Sequence, residues 1–242
     1  MDRYIDMHCH ILPGVDDGAA DLEETRQMLR IAYNEGIRLI IATPHHHPRR
    51  GHKSPDVLQK QLRLVRKEAA DISEKFRVYL GCEVYFGQDV PDKLNDGRIL
   101  TMNKRNTVLA EFSPTDSFSY IRQGIQQIQM TGNEVVVAHA ERYQCLTDDI
   151  ALAEEICDMG ASIQVNAGSI TGESGRRAKK FVRELMNQDM VFGVGTDAHG
   201  AHMRMPKMKK AAEYVKKKYG EDYMRRIFFD NPAGLLRKVK EV

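Results

Sequence analysis

Imidazole and carboxylate side chains recur in this sequence where short apolar segments end. The segment Tyr4–Met7 is followed by His8 and His10, and a segment near residue 195 is followed by Asp197 and His199. The residues that share such positions are His8, His10, His45, Glu83, Glu111, His139, Asp197 and His199. Each of them alone also fits a loop salt bridge or a solvated turn, but the joint pattern favours one shared site.

The chemistry of such a site follows from its donor atoms. Carboxylates that are packed together repel one another and raise their own pKa values, and cations remove that penalty. A mixture of imidazole and carboxylate ligands suits zinc, manganese or iron, and two or three ions can share bridging carboxylates. Ions placed about 4 Å apart activate water and hold the attacking and leaving oxygens of a phosphoryl group. The pattern therefore predicts a polynuclear metal site that is suited to phosphoryl transfer.

Short segments rich in valine and isoleucine alternate with amphipathic stretches along the chain. The candidate strands are Tyr4–Met7, Arg38–Thr43, Val78–Val84, Thr107–Phe112, Glu134–His139, Ser162–Asn166 and Phe192–Thr196. The candidate helices begin at Asp21 and Ser54 and cover Ser117–Thr131, Asp148–Met159, Arg176–Gln188, Pro206–Tyr219 and Asp222–Val242, the last with a break near Asn231 and Pro232. This alternation indicates an α/β fold with a parallel sheet and helices outside it.

The number of strand–helix units favours a closed barrel. About seven units in one domain predict a barrel more than an open doubly wound sheet, which remains the main alternative. Both architectures collect their functional side chains at the carboxyl ends of the strands. The predicted site is therefore the same in either case.

Composition excludes several classes of protein. The chain has 242 residues, of which 42% are hydrophobic and 29% charged, so it is long enough to bury a core. A formal charge of +2 makes no case for nucleic acid. No apolar run is long enough to span a membrane, and the N-terminus enters a strand-like pattern without a signal peptide. The cysteines are widely spaced, which favours reduced thiols and a cytoplasmic protein.

Thiol and nucleotide chemistry lack their motifs. Phosphatases that use a cysteine nucleophile need an arginine six residues after it, and none of the four cysteines (Cys9, Cys82, Cys145 and Cys157) has one. The sequence contains neither a P-loop nor a GxGxxG motif. Catalysis by metal ions is therefore the favoured hypothesis.

On these residues the chain resembles the PHP (polymerase and histidinol phosphatase) superfamily, and within it the bacterial manganese-dependent protein-tyrosine phosphatases of capsule and exopolysaccharide gene clusters. The superfamily stretches are the HxH motif at His8 and the Asp-x-His motif at Asp197. The narrower resemblance rests on PGVDDGA, residues 13–19, and AHAERY, residues 138–143. The resemblance implies a distorted (β/α)7 barrel that forms a single domain over residues 1–242.

The resemblance also implies roles for individual residues. One metal would be held by His8, His10, Glu83 and Asp197, a second by Glu83, Glu111 and His139, and a third by Asp17, His45 and His199. Arg142 and Arg204 match arginines that contact phosphate. The implied cofactor is Mn²⁺, as two or three ions, with iron or zinc as alternatives.

The implied function is hydrolysis of phosphotyrosine on an autophosphorylated bacterial tyrosine kinase, which would regulate capsule or exopolysaccharide synthesis. The implied partner is the phosphotyrosine tail of that kinase, with no nucleic acid and no membrane insertion, while an oligomer stays open. Two alternatives remain at this point. One is a small-molecule PHP phosphatase such as histidinol phosphatase, and the other is a PHP-type 3′–5′ exonuclease or nucleic-acid module.

Overall fold

Parallel strands form the centre of the fold in the computed structural model, which describes residues 3–236. The strand segments are β1 (Tyr4–Cys9), β2 (Ile37–Ala42), β3 (His45–His46), β4 (Arg77–Leu80), β5 (Glu83–Tyr85), β6 (Thr107–Glu111), β7 (Glu134–Val137), β8 (Ser162–Asn166) and β9 (Val191–Gly195). One sheet has the order β1-β2-β4, and the other has the order β3-β5-β6-β7-β8-β9. All the paired strands are parallel.

The nine segments make seven barrel strands, because two of these strands are interrupted. β2 pairs with β4 and β3 pairs with β5. Between these pairs, the amide of Gly81 donates to the carbonyl of Ala42 at 2.8 Å and the amide of Glu83 donates to the carbonyl of Pro44 at 3.1 Å. β3 therefore continues β2, and β5 continues β4, each after a short irregular step.

The first and last strands meet and close the barrel on its remaining side. The amide of Asp197 donates to the carbonyl of His8 at 2.7 Å, and the amide of His10 donates to the carbonyl of Ala198 at 2.9 Å. The prediction of a distorted seven-stranded β/α barrel is confirmed, and the open doubly wound sheet is not observed.

Helices cover the outside of the barrel. They are α1 (Leu22–Asn34), α2 (Pro55–Ile72), α3 (Val90–Asn95), α4 (Phe118–Gln129), α5 (Gln144–Asp148), α6 (Ala151–Asp158), α7 (Ala167–Thr171), α8 (Arg176–Asn187), α9 (Lys209–Tyr219), α10 (Glu221–Arg225) and α11 (Asn231–Gly234). Asp21 caps α1, since its carboxylate accepts the amide of Glu24 at 2.9 Å. Within residues 3–236, no helix has the length and apolar character that crossing a membrane would need.

Two helix predictions differ from the structure. The helix predicted over Asp148–Met159 begins later, as α6 at Ala151, because Asp149 has an extended backbone after the end of α5. The break expected near Pro232 is absent: a π-helical turn, Arg226–Asp230, leads directly into α11. Pro232 lies in the first turn of α11. The last part of the helix predicted to Val242 lies outside the described residues.

The lower half of the barrel interior is filled by apolar side chains. They form a buried cluster of Met7, Ile41, Met102, Leu109, Val136, Ala138 and Leu235. Successive residues of a strand point to opposite faces, so Glu111 lies on the same interior face as Leu109, two residues nearer the carboxyl end. β6 thus carries an apolar group in the lower interior and a polar group at the mouth.

Gly195 is required where β9 meets β1. A Cβ atom at this position would lie 2.5 Å from the Cβ of His8 and 3.2 Å from its backbone nitrogen. We expect Gly195→Ala to destabilise the fold by about 1–3 kcal/mol through overpacking, which lowers the melting temperature by roughly 2–4 °C per kcal/mol. Thermal unfolding followed by circular dichroism measures this.

The matched control for that experiment is Gly234→Ala. Nothing lies within 4 Å of a Cβ at Gly234, so we expect no loss of stability there. A Gly195→Ala protein that melts together with the wild type would contradict the close approach of β9 to β1.

Candidate metal centre

Four donor groups from three parts of the chain converge at the mouth of the barrel. They are His8 and His10 of β1 and its end, Glu83 of β5, and Asp197 after β9, and all four are buried. The Nε2 atoms of the two histidines lie 3.3 and 3.2 Å from one oxygen of Glu83. Both also lie 3.5 Å from one oxygen of Asp197. All the donor atoms lie within 4.8 Å of one another, which is the spacing of ligands around a single ion.

The hydrogen bonds of the two histidines show that a cation fits between them. The Nδ1 atom of His8 lies 3.0 Å from the side-chain oxygen of Gln164, and that of His10 lies 2.9 Å from the carboxylate of Asp16. Neutral imidazoles with these acceptors carry their proton on Nδ1, so both Nε2 atoms carry lone pairs. These two Nε2 atoms are only 3.2 Å apart and face carboxylate oxygens. Such facing lone pairs are stable when a cation lies between them.

Two further donor groups adjoin the first. One contains His10, Asp17, His45 and His199, and the other contains His45, Glu83 and Glu111. His139 lies beside the second of these, with its Nε2 atom 2.7 Å from one oxygen of Glu83 and 3.8 Å from Glu111. The structure thus brings together all nine predicted donors. It differs from the predicted division in grouping His45 with Glu83 and Glu111, and His10 with the Asp17 cluster.

The buried carboxylates differ in how far neighbouring charges compensate them. Burial opposes ionisation of Glu83, but His8 and three other neighbouring histidines outweigh it and hold the pKa of Glu83 well below its usual range. For Glu111, burial and the neighbouring Glu83 raise the pKa to about 8. Within the described residues, one oxygen of Glu111, one of Glu83 and both ring nitrogens of His45 have no hydrogen-bond partner. Unpartnered buried donor atoms of this kind fit metal ligands.

Strained backbone accompanies several of these residues. His139, Asp197 and Arg204 have positive φ angles of 32°, 51° and 48°, which residues other than glycine rarely adopt. Such conformations cost about 1–3 kcal/mol each and cluster at functional sites. The turns that follow β7 and β9 therefore aim side chains into the mouth that regular strands would direct elsewhere.

Gly18 explains part of the PGVDDGA motif. A Cβ at this position would lie 2.2 Å from the carbonyl oxygen of His10 and 2.9 Å from the carboxylate of Asp16. Only a glycine lets the loop fold back against β1. This contact places Asp17 beside His45 and His199, at 3.2 and 3.5 Å.

Three supporting residues were not predicted as part of the site. Gln164 lies in the middle of β8 and bonds both His8 and the amide of His139, the latter at 2.8 Å. Asp16 holds His10 and also accepts the amide of His45 at 2.9 Å. Glu141 is buried and accepts the hydroxyl of Ser169 at 2.7 Å. The alternation of β8, which places Gln164 on the same face as Asn166 at the strand end, was the signal that could have identified Gln164.

Arg142 and Arg204 lie together on the β9 side of the mouth. Both donate to the same oxygen of Asp197, Arg204 at 2.7 Å. Their side chains are about one-third and two-fifths exposed and line a cavity of about 330 Å³ that Asn166 and Lys207 also line. The two predicted arginines therefore present guanidinium groups at the edge of the donor cluster, within reach of an anion.

The fold and this donor set define a class of protein, the parallel β/α barrels with a candidate metal site at the carboxyl ends of the strands. The chain belongs to the family described as capsular polysaccharide synthesis, CpsB/CapC, whose model matches residues 4–237. The resemblance stated from the motifs is thereby confirmed.

Named relatives and a solved structure agree with this assignment. The chain is 32% identical to tyrosine-protein phosphatase CpsB of Streptococcus pneumoniae over 96% of this chain and 98% of that protein. It is 30% identical to tyrosine-protein phosphatase YwqE of Bacillus subtilis, covering 90% and 86% of the two chains. The chain also matches a solved structure from work on YwqE of Bacillus subtilis and CpsB of Streptococcus pneumoniae, which are described as unique metal-dependent tyrosine phosphatases. The TM-score is 0.84 and the identity 30%, over 91% of this chain and 89% of that chain.

The affinity for Mn²⁺ is expected to rise with pH between about 6 and 8, because carboxylate ligands must lose their protons to bind. The pKa of Glu111 is raised to about 8, so a proton competes with the ion below that pH. Isothermal titration calorimetry in two buffers with different ionisation enthalpies measures the affinity and the protons released.

Glu111→Gln is the control for that titration. This variant keeps the size of the side chain and lacks the titrating group, so fewer protons are released on binding. An affinity for Mn²⁺ that does not change with pH, without proton release, would contradict the role of Glu111.

Proposed function

We propose that this protein is a metal-dependent protein-tyrosine phosphatase that hydrolyses phosphotyrosine on a bacterial tyrosine kinase. The observation that carries the proposal is the convergence of nine imidazole and carboxylate donors beside two partly exposed arginines. The names of the relatives support the choice of phosphotyrosine over histidinol phosphate or a nucleic acid.

The donors divide among the ions as follows in this proposal. His8, His10, Glu83 and Asp197 hold one ion, while His139 and Glu111 share Glu83 with a second. Asp17, His45 and His199 would hold the third, and His45 also lies near Glu83 and His10 near Asp17. Mn²⁺ is the proposed metal, since hard carboxylates and borderline imidazoles in this mixture suit it. The bound ions supply an activated water and positive charge for the phosphoryl oxygens.

The arginines orient the substrate and stabilise charge. A guanidinium group binds two phosphoryl oxygens in a planar, bidentate arrangement. Asp197 holds Arg142 and Arg204 before substrate arrives, so little ordering is needed at the moment of reaction. The departing phenolate of tyrosine has a pKa of about 10 and needs less protonation than a serine alkoxide. This chemistry therefore suits an aryl phosphate.

The wider role follows from the family. We propose that the substrate is the phosphotyrosine tail of an autophosphorylated kinase, that its dephosphorylation regulates capsule or exopolysaccharide synthesis, and that the protein acts in the cytoplasm as a single catalytic domain over residues 1–242. A family described by capsular polysaccharide synthesis supports this context.

Chelation is expected to abolish activity. Treatment with EDTA should remove hydrolysis of a phosphotyrosine peptide, and added Mn²⁺ should restore it, because the donor cluster alone has no activated water. Alkylation with iodoacetamide should have little effect, since Cys9 and Cys82 are buried and burial raises the pKa of both thiols.

The same assay separates the competing functions. Histidinol phosphate and single-stranded DNA are offered beside the phosphotyrosine peptide, and the peptide is expected to have the highest kcat/KM. Full activity in a metal-free sample, or faster hydrolysis of either other substrate, would refute the proposal.

Arg142→Ala is expected to lower kcat by roughly 10²-fold while the metal content stays normal, because a charge-stabilising donor is lost and the nine ligands remain. Arg63→Ala is the matched control, since Arg63 lies exposed on α2. Steady-state kinetics and elemental analysis of each variant test this. An unchanged kcat would remove Arg142 from the mechanism.

A further inference from the structure

Tyr85 lies at the mouth of the barrel and has no role in the proposed reaction. It lies two residues after Glu83 on β5, so its side chain points to the same interior face. In the parallel register it is paired with Glu111 of β6. Tyr85 is partly exposed, whereas both of these carboxylates are buried. Its ring therefore stands above the donor cluster, at the open end of the barrel.

His47 holds the ring of Tyr85 from one side. The two ring centroids are 4.2 Å apart. His47 is itself fixed, since it exchanges backbone hydrogen bonds with Gly51 at 2.9 and 3.2 Å. Its Nδ1 atom accepts the amides of Arg49 at 2.9 Å and Arg50 at 3.2 Å. The Tyr85–His47 pair is therefore a preorganised aromatic surface, which loses little freedom when a ligand packs on it.

This aromatic surface lies across the barrel from the phosphate-binding arginines. Arg50, on the same loop as His47, reaches Glu111 at 3.3 Å, whereas Arg142 and Arg204 bond Asp197. Glu111 ends β6, and Asp197 follows β9. In the barrel, β7 and β8 separate these two strands on one side, and the remaining strands separate them on the other. A phosphoryl group held over the donors thus has guanidinium groups on one side and an aromatic ring on the other.

We propose that Tyr85, supported by His47, forms the aromatic surface against which the tyrosyl ring of the substrate packs. This contact makes the site selective for aryl over alkyl phosphates. The inference rests on the proposed phosphatase function and adds a specificity determinant to it. An aromatic side chain on the substrate gains an offset or edge-to-face contact with Tyr85. The short side chain of phosphoserine does not reach Tyr85 and gains no binding energy from this contact.

The test compares two peptides of identical sequence that carry either phosphotyrosine or phosphoserine, with Mn²⁺-loaded protein. Tyr85→Leu is expected to lower the ratio of their kcat/KM values by about 3- to 10-fold, mainly by raising KM for the phosphotyrosine peptide. Tyr85→Phe keeps the ring and is expected to keep the ratio. His47→Leu removes the support from a different segment and is expected to lower the ratio in the same direction.

The matched control is Tyr33→Leu, because Tyr33 packs on Phe76 and Arg38, away from the mouth. An unchanged ratio in Tyr85→Leu would overturn the proposal, and so would a ratio that falls as far in Tyr85→Phe. A wild-type protein that binds Mn²⁺ and cleaves neither peptide would refute the proposed function itself, and with it the role of Tyr85.

Discussion

Three carboxylates, Glu83, Glu111 and Asp197, are withdrawn from water at the mouth of the barrel and placed against one another. Burial and mutual repulsion both oppose their ionisation, and an unpaired buried charge costs several kcal/mol. The histidines reduce this cost for Glu83, while Glu111 remains poorly compensated and has a raised pKa. The arrangement becomes favourable when cations enter it, so the stability of the mouth and its capacity for catalysis have the same physical origin.

The rest of the barrel keeps these groups from collapsing or turning away. Apolar side chains fill the bottom of the interior, so the polar groups cannot move down into it. Gln164 and Asp16 hold the outer nitrogens of His8 and His10, which fixes the direction of their lone pairs. Outer-shell partners of this kind commonly orient metal ligands. The site is therefore built by two layers of residues, the candidate donors and an outer layer that orients them.

The strand ends could be predicted from the sequence because apolar segments with polar residues behind them are local patterns. The nine donors and two arginines lie together in the structure as this pattern and the motifs indicated. Gln164 was not predicted, since its role depends on the approach of β8 to β1, which is a tertiary contact. The neighbours of His45 depend on the interrupted strand β2–β3, and no local pattern predicts that interruption. The split between α5 and α6 depends on the backbone of one residue, Asp149.

The backbone contact between β1 and β9 joins segments that lie about 190 positions apart in the chain. During synthesis, a ribosome-bound chain that has emerged only as far as β8 contains seven of the nine donors and lacks Asp197 and His199. Such long-range contacts form late, because the loop between them must first be closed. The candidate donor set is therefore complete only after β9 has joined β1.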